Sequence, residues 1–269
     1  MVPLIMFVLL ALAAPARAAE SSAFPQGESL FAPVLADPRR VQSGLYFYML
    51  DGQPTADVAL GRSWGMERWT SGGWSWQWDV EGMAYSRIYI TGTPSTFETI
   101  DFFGKLPLEI RRGRFSAKLQ LYHQSSHLGD NYIESTGRFG SYFSVEGFRA
   151  QASFMAWPWL RLYGGDTQLV HTIPALHRQI LQGGFEAASV ENPLTHDVLW
   201  SLYLAQDVQS QEYNHWNPSG DSVLGVRLTG TQSGRSLRLQ LGYFAGHSPF
   251  GQFYDVLEHY ADCGIIFDF

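Results

Sequence analysis

The chain holds one cysteine, Cys263, which excludes an internal disulfide and any cysteine-rich metal site. Basic residues are in the minority. Lys and Arg number 18 against 25 Asp and Glu, a net charge of -7, and no basic stripe runs along the chain. That balance argues against a nucleic-acid partner. Beyond the first twenty residues, no apolar run reaches the roughly 18 residues that a membrane-spanning helix needs. Helical periodicity is almost missing after Val41. There is no phosphate-binding glycine loop, dinucleotide fingerprint or zinc-protease helix.

What is present is hydrophobicity finely interleaved with polarity: 45% of the residues are hydrophobic and 15% aromatic. The start, MVPLIMFVLLALAAPARAAE, reads as a secretory signal, with an apolar core from Val2 to Ala14 and a small-x-small cleavage site at Ala16-Arg17-Ala18. Residues 1–18 are therefore expected to be a signal peptide and 19–40 an extended periplasmic lead-in, followed by one β domain over 41–269. In that domain, segments of period two recur between turn residues. Trp74, Trp76, Trp78 and Val80 alternate with Ser75, Gln77, Asp79 and Glu81; Leu237, Leu239 and Leu241 alternate with Arg238 and Gln240.

A soluble sandwich also alternates. Export, aromatic residues near segment ends, and a polar face rich in glycine and in charges of both signs point instead to an all-β fold: a transmembrane antiparallel up-and-down β-barrel in the bacterial cell outer membrane. About twelve strands are expected, over 42–50, 55–64, 74–90, 98–111, 114–126, 138–156, 159–170, 179–189, 197–208, 221–230, 235–246 and 258–269. Strand 138–156 is long. Its outward row is expected to run through Phe139, Ser141, Phe143 and Val145, then to change parity at a glycine bulge, Gly147, and continue through Phe148. RRGR, AWPW and TGTQSGR become short periplasmic turns, and the longer connections fall on the outside. Inward charges such as Lys118, Arg227, Glu109 and Glu186 are expected to pair across the lumen. A closing strand that ends on Phe269 is the expected contact with the outer-membrane assembly machinery, and Cys263 faces lipid.

Several stretches resemble a family of bacterial outer-membrane barrel proteins known only as a domain of unknown function. They are SLFAPVLADPR, RFSAKLQLYHQSSHLGDNY, LRLYGG with VH following, GHSPFGQFY and the last strand, with HQSSHLGD and GHSPFGQFY the most specific. The resemblance spans most of the mature chain and implies an outer-membrane barrel without assigning a substrate.

The alternation of FSAKLQLYHQSSH carries Leu119 and Leu121 into His123 and Ser125 on the same, lipid-facing side. Polar groups there are costly unless they act. An imidazole two residues from a hydroxyl, about 7 Å apart at the Cα atoms, is placed to take its proton during attack on an acyl ester. This His-x-Ser arrangement is similar to that of the outer-membrane phospholipase A and lipid A deacylase barrels. There an Asn or Glu about a dozen residues later orients the histidine. Here that position holds Gly137 or Arg138, and Asn131 and Glu134 are the nearby candidates. Outer-membrane lipid is then the partner and substrate.

Further candidates line the loops. His127 and Asp130 belong to a turn in which Asp130 could accept backbone N–H groups or offer a carboxylate to calcium, the one cofactor considered. His127, His171 and His247 fall at the outer rim, where unrelated positions are the simpler reading and no metal set is assigned. His247, Ser248 and Gln252 belong to Gly246–Tyr254, read as a lid or latch over the barrel mouth packing on the HQSSH segment. Two non-enzymatic alternatives stay open: a narrow channel, and a structural or surface-interaction barrel.

Overall fold

The computed structural model describes residues 20–25, 29–90 and 95–268. The expected signal peptide and the terminal Phe269 lie outside the described residues. Twelve strands close into one antiparallel barrel, each hydrogen-bonded to its neighbour in sequence. In chain order they follow a short arm, β1 (Glu20–Ala23): β2 (Ser43–Leu50), β3 (Gln53–Ser71), β4 (Trp74–Tyr89), β5 (Thr96–Arg112), β6 (Phe115–Leu128), β7 (Phe143–Trp157), β8 (Leu160–Ile173) and β9 (Gln179–Ala188). The two-residue β10 (Asn192–Pro193) pairs beside the wall, which resumes with β11 (Val198–Gln211), β12 (Pro218–Gly230), β13 (Ser236–His247) and β14 (Leu257–Asp268). Closure comes from β14 against β2, with Phe267 opposite Ser43 and Asp262 opposite Tyr48. A closed wall leaves no unpaired strand edge.

The two ends differ. Strands β3–β4, β5–β6 and β7–β8 are joined by two-residue turns at one end. Gly72 and Gly73 both have positive φ, the geometry of a two-residue turn that follows the strand twist. At the other end lie the connections 129–142, 174–178, 212–217 and 248–256. The first of these contains the helix α1 (Asp130–Thr136).

Two strands depart from the expected reading. β3 runs on to Ser71 because a bulge between Gly65 and Glu67 restores its pairing with β4. In β7, residues 138–142 are not strand, and Phe143 and Val145 face the lumen, with Ser144 and Glu146 outward. The face of β7 does not switch at Gly147. The irregularity is taken up across the pair, where Glu146 faces His171 and Gly147 faces Leu169. Phe143 and Val145 turn inward because Tyr122, Leu169 and Ile180 form an apolar cluster there.

Outside, the wall is apolar: Leu60, Leu106, Leu121, Leu224 and Leu241 are exposed. Inside, many buried polar groups meet partners within the protein. Arg87 is fully buried and meets Glu258 at 2.7 Å, Asp57 at 3.3 Å and Glu98 at 3.7 Å. Many inward groups find their partner in the segment from Ser29 to Gln42, which runs inside the lumen. Phe31 N donates to Glu109 and Leu35 N to Glu186; Arg161 donates to the carbonyls of Ala32 and Pro33. Lys118 lies over the Phe31 ring at 5.1 Å. Asp37 pairs with Arg149 at 3.3 Å and accepts from Gln182 and Gln209.

Burial acts to raise the pKa of Asp37, but Arg149, Lys105 and the hydrogen bonds from Arg39 N–H and Gln182 together outweigh it and hold the carboxyl below its ordinary range. Its stabilising contribution is therefore complete above the unfolded value and is lost as pH falls through the lowered one. Amide exchange is expected to show this segment opening only below about pH 4. Asp37→Asn leaves Arg149 buried without its counter-charge, a cost of about 3 kcal/mol or more. The expected outcome is tryptic cleavage after Arg39 or Arg40 at neutral pH in the variant, where the parent protein resists.

Candidate functional site

The upper half of β6 keeps strict alternation through its polar residues. Gln120, Tyr122, Gln124 and Ser126 are buried in the lumen, whereas Leu119, Leu121, His123, Ser125 and His127 lie on the outer face. Opposite them on β7, His123 faces Glu146 and Ser125 faces Ser144. Directly opposed side chains on an antiparallel pair are within touching distance. His123 Nδ1 lies 3.3 Å from Glu146 Oε1, with the two side chains 45% and 49% exposed.

A carboxylate on Nδ1 holds the ring orientation and leaves Nε2 as the nitrogen for a neighbouring hydroxyl. Ser125 stands on the same row two residues away, and no hydrogen bond joins its Oγ to His123 in this structure. On the β5 side, Gly104 faces His123 and Phe102 faces Ser125. A Cβ added at Gly104 would meet nothing within 4 Å, so a flat open shelf adjoins the imidazole. Phe102 walls that shelf and meets the His127 ring edge-on at 6.2 Å.

The other expected residues are placed elsewhere. Asn131 and Glu134 sit on α1. Asn131 accepts from Phe97 N at 3.1 Å and donates to Ser95 O at 3.1 Å, which staples α1 to the start of β5. Glu134 is exposed on the same helix. The side chain that meets His123 is Glu146, 23 positions along the chain. Asp130 stands exposed in the first turn of α1. His127 and His171 face outward, whereas His247 is buried, with its backbone N–H on Ser219 Oγ. Among the described residues, no three His, Cys, Asp or Glu side chains come together as a metal set.

Ser248 and Gln252 are buried inside the mouth. Gln252 Nε2 donates to Ser126 O at 2.8 Å and to Ser141 O at 2.6 Å. Phe250 is fully enclosed, stacked on Tyr85 at 4.5 Å and under Arg87 at 4.5 Å. From the other side, Arg39 donates to Pro249 O and Ser248 O. The inner segment and the mouth loop thus meet in mid-lumen. Two cavities beside the inner segment measure about 20 Å³ each, one of them reaching Pro249 of the mouth loop, roughly room for one water.

A family model described as a protein of unknown function, DUF1207, matches residues 10–269, and the chain belongs to that family. No curated protein matches it.

The facing of β6 and β7 has a direct check in single cysteines placed on a Cys263→Ala background. In micelles, a thiol-reactive nitroxide is expected to label Ser125→Cys and Ser144→Cys readily. Ser126→Cys and Val145→Cys should stay unreacted until the barrel is unfolded. Labelling of the second pair in the folded protein would reverse the assignment of faces.

Proposed function

We propose that this protein is an outer-membrane acyl-ester hydrolase that works at the outer wall of its barrel, on lipid of the surrounding leaflet. Ser125 is the nucleophile, His123 the general base and Glu146 the group that orients the imidazole. The observation that carries the reading is the contact between His123 Nδ1 and Glu146, one residue pair away from an outward serine.

The membrane setting is supported by the closed wall, its apolar outer face and the signal-like start. No helix among the described residues is long and apolar enough to cross a bilayer. The filled lumen favours chemistry on the wall over conduction: Phe31, Arg87, Phe250 and Ile266 occupy it with almost no exposed surface.

In the proposed reaction, Ser125 Oγ bonds to the ester carbonyl carbon while His123 takes its proton. The carbonyl–oxygen bond to the leaving alcohol then breaks, and His123 returns the proton to that oxygen. Water, deprotonated by the same imidazole, then bonds to the acyl carbon; the bond to Ser125 Oγ breaks, His123 returns the proton to that oxygen, and the fatty acid leaves. Lipid reaches the site by lateral diffusion, so no deep pocket is required. The shelf at Gly104 beside Phe102 is where the ester can approach.

The test is fatty-acid release from phosphatidylethanolamine vesicles and from lipid A, by full-length protein folded into the bilayer. Release is expected from at least one of the two and is expected to vanish in Ser125→Ala. Glu146→Gln should lower it about 10³-fold or more, as loss of the orienting carboxylate does in serine hydrolases. Equal release by the Ser125→Ala variant, or none from either lipid by the unsubstituted protein, would remove the reading. Ion conductance in planar bilayers would promote the channel instead.

A further inference from the structure

Gln124 and Ser126 alternate with His123 and Ser125, so they form the lumen side of the same few residues. The mouth loop 248–256 lands on them. Asp101, buried on β5, accepts from Gln124 Nε2 at 2.7 Å, from the Ser126 hydroxyl, and from the backbone N–H of Gly251 at 2.8 Å. Ser126 Oγ in turn accepts the N–H of Gln252 at 3.1 Å.

The Gln252 side chain then bridges the end of β6 and the segment that leads into β7. Its amide nitrogen donates to Ser126 O and Ser141 O, and its Oε1 accepts from Ser141 N at 3.1 Å. The β6–β7 ladder ends at the pair Ser126–Phe143, beyond which the chain departs through α1. From inside the lumen Gln252 ties the last paired residue of β6 to Ser141, two residues ahead of Phe143, where the ladder has stopped. The rung beneath is Ser125–Ser144, and two below that comes His123–Glu146.

From this geometry we infer that Gly251 and Gln252 form a strap whose role is to position the outward His123–Ser125–Glu146 set. It does so by clamping the upper ends of β6 and β7 together from behind; the inference rests on the hydrolase reading given above. The nucleophile and base stand on β6 and the orienting carboxylate on β7, so their alignment depends on the spacing of these two strands. Displacements near 1 Å cost such constellations about 100-fold in rate. The fit is close. A Cβ at Gly251 would lie 2.4 Å from the Phe143 ring and 2.8 Å from Ser126 Cβ, which allows only glycine there. Arg39 holds the far end of the strap through Pro249 O and Ser248 O. Gln252 is on the lumen side of the wall and is therefore a positioning residue, out of contact with lipid.

The experiment uses Gln252→Ala in the full-length protein, reconstituted in vesicles, with turnover expressed per folded barrel as judged by heat-modifiable migration. The expected result is a fall in kcat of tenfold or more at unchanged KM. Alongside it, amide exchange should quicken at least tenfold in 121–128 and 143–148 and not in β12–β13. Should Gln252→Ala fold poorly, Gln252→Asn, which keeps the amide but shortens its reach to Ser126 and Ser141, supplies the same perturbation with the same two readouts. Faster exchange with unchanged kcat would overturn the positioning role and leave the hydrolase reading standing. Unchanged exchange would show that the strap does not hold the strands and also overturn it. No turnover by the unsubstituted protein would sink the hydrolase reading, and the proposal with it.

Discussion

A strand has a period of two, so moving it by one residue exchanges everything it shows to the lumen with everything it shows to the exterior. That constraint governs this molecule. On β6 it places Gln120, Gln124 and Ser126 in a crowded polar interior and leaves Leu121, His123 and Ser125 outside. On β7 it does the same with Val145 against Glu146. The site exists because both strands keep their parity up to the mouth, and a bulge in either would separate the histidine from its carboxylate.

Parity alone does not hold a barrel of this size together, since twelve strands enclose more space than their own side chains fill easily. The remaining room is taken by the chain itself, from below by residues 29–42 and from above by the loop around Phe250. This packing also solves an electrostatic problem. Arg87, Glu109, Asp101 and Lys105 are all buried, and a buried charge is tolerated only with partners at hand. Several of those partners are backbone groups of the two inserted segments: Phe31 N for Glu109, Arg39 O for Lys105, Gly251 N for Asp101. Removing either segment would therefore strip hydrogen bonds from charges in the wall.

Most of the wall was legible in the sequence because two-residue alternation survives in Trp74–Val80, Leu237–Leu241 and Ala117–Leu121, where one face is apolar. It failed where the lumen itself turns apolar. Phe143 and Val145 look like outward residues, yet they pack inward on Tyr122 and Leu169 beneath the mouth loop. Reading them as outward forces Glu146 into the lumen, and the acid partner of His123 disappears from view. Counting along the chain could not recover it either, because α1 and the residues after it delay the return of the strand, so Glu146 lies far beyond the expected interval. The far part of β3 was hidden by a similar cause, a bulge after Gly65 that breaks the alternation while Trp69 still stacks on Trp76 at 6.3 Å. Which inward charges pair across the lumen was not legible at all, since their partners include main-chain atoms of the inserted segments.

The central claim is that the reactive hydroxyl of this protein is on its outer wall, within reach of acyl chains. A long-chain alkyl fluorophosphonate dissolved in the vesicle bilayer, with the adduct located by tandem mass spectrometry, addresses this most directly. The account predicts one phosphonylated serine, Ser125, and its loss when His123 is replaced by alanine. An adduct on a lumen serine such as Ser126 or Ser248, or no adduct on the folded protein, would contradict it.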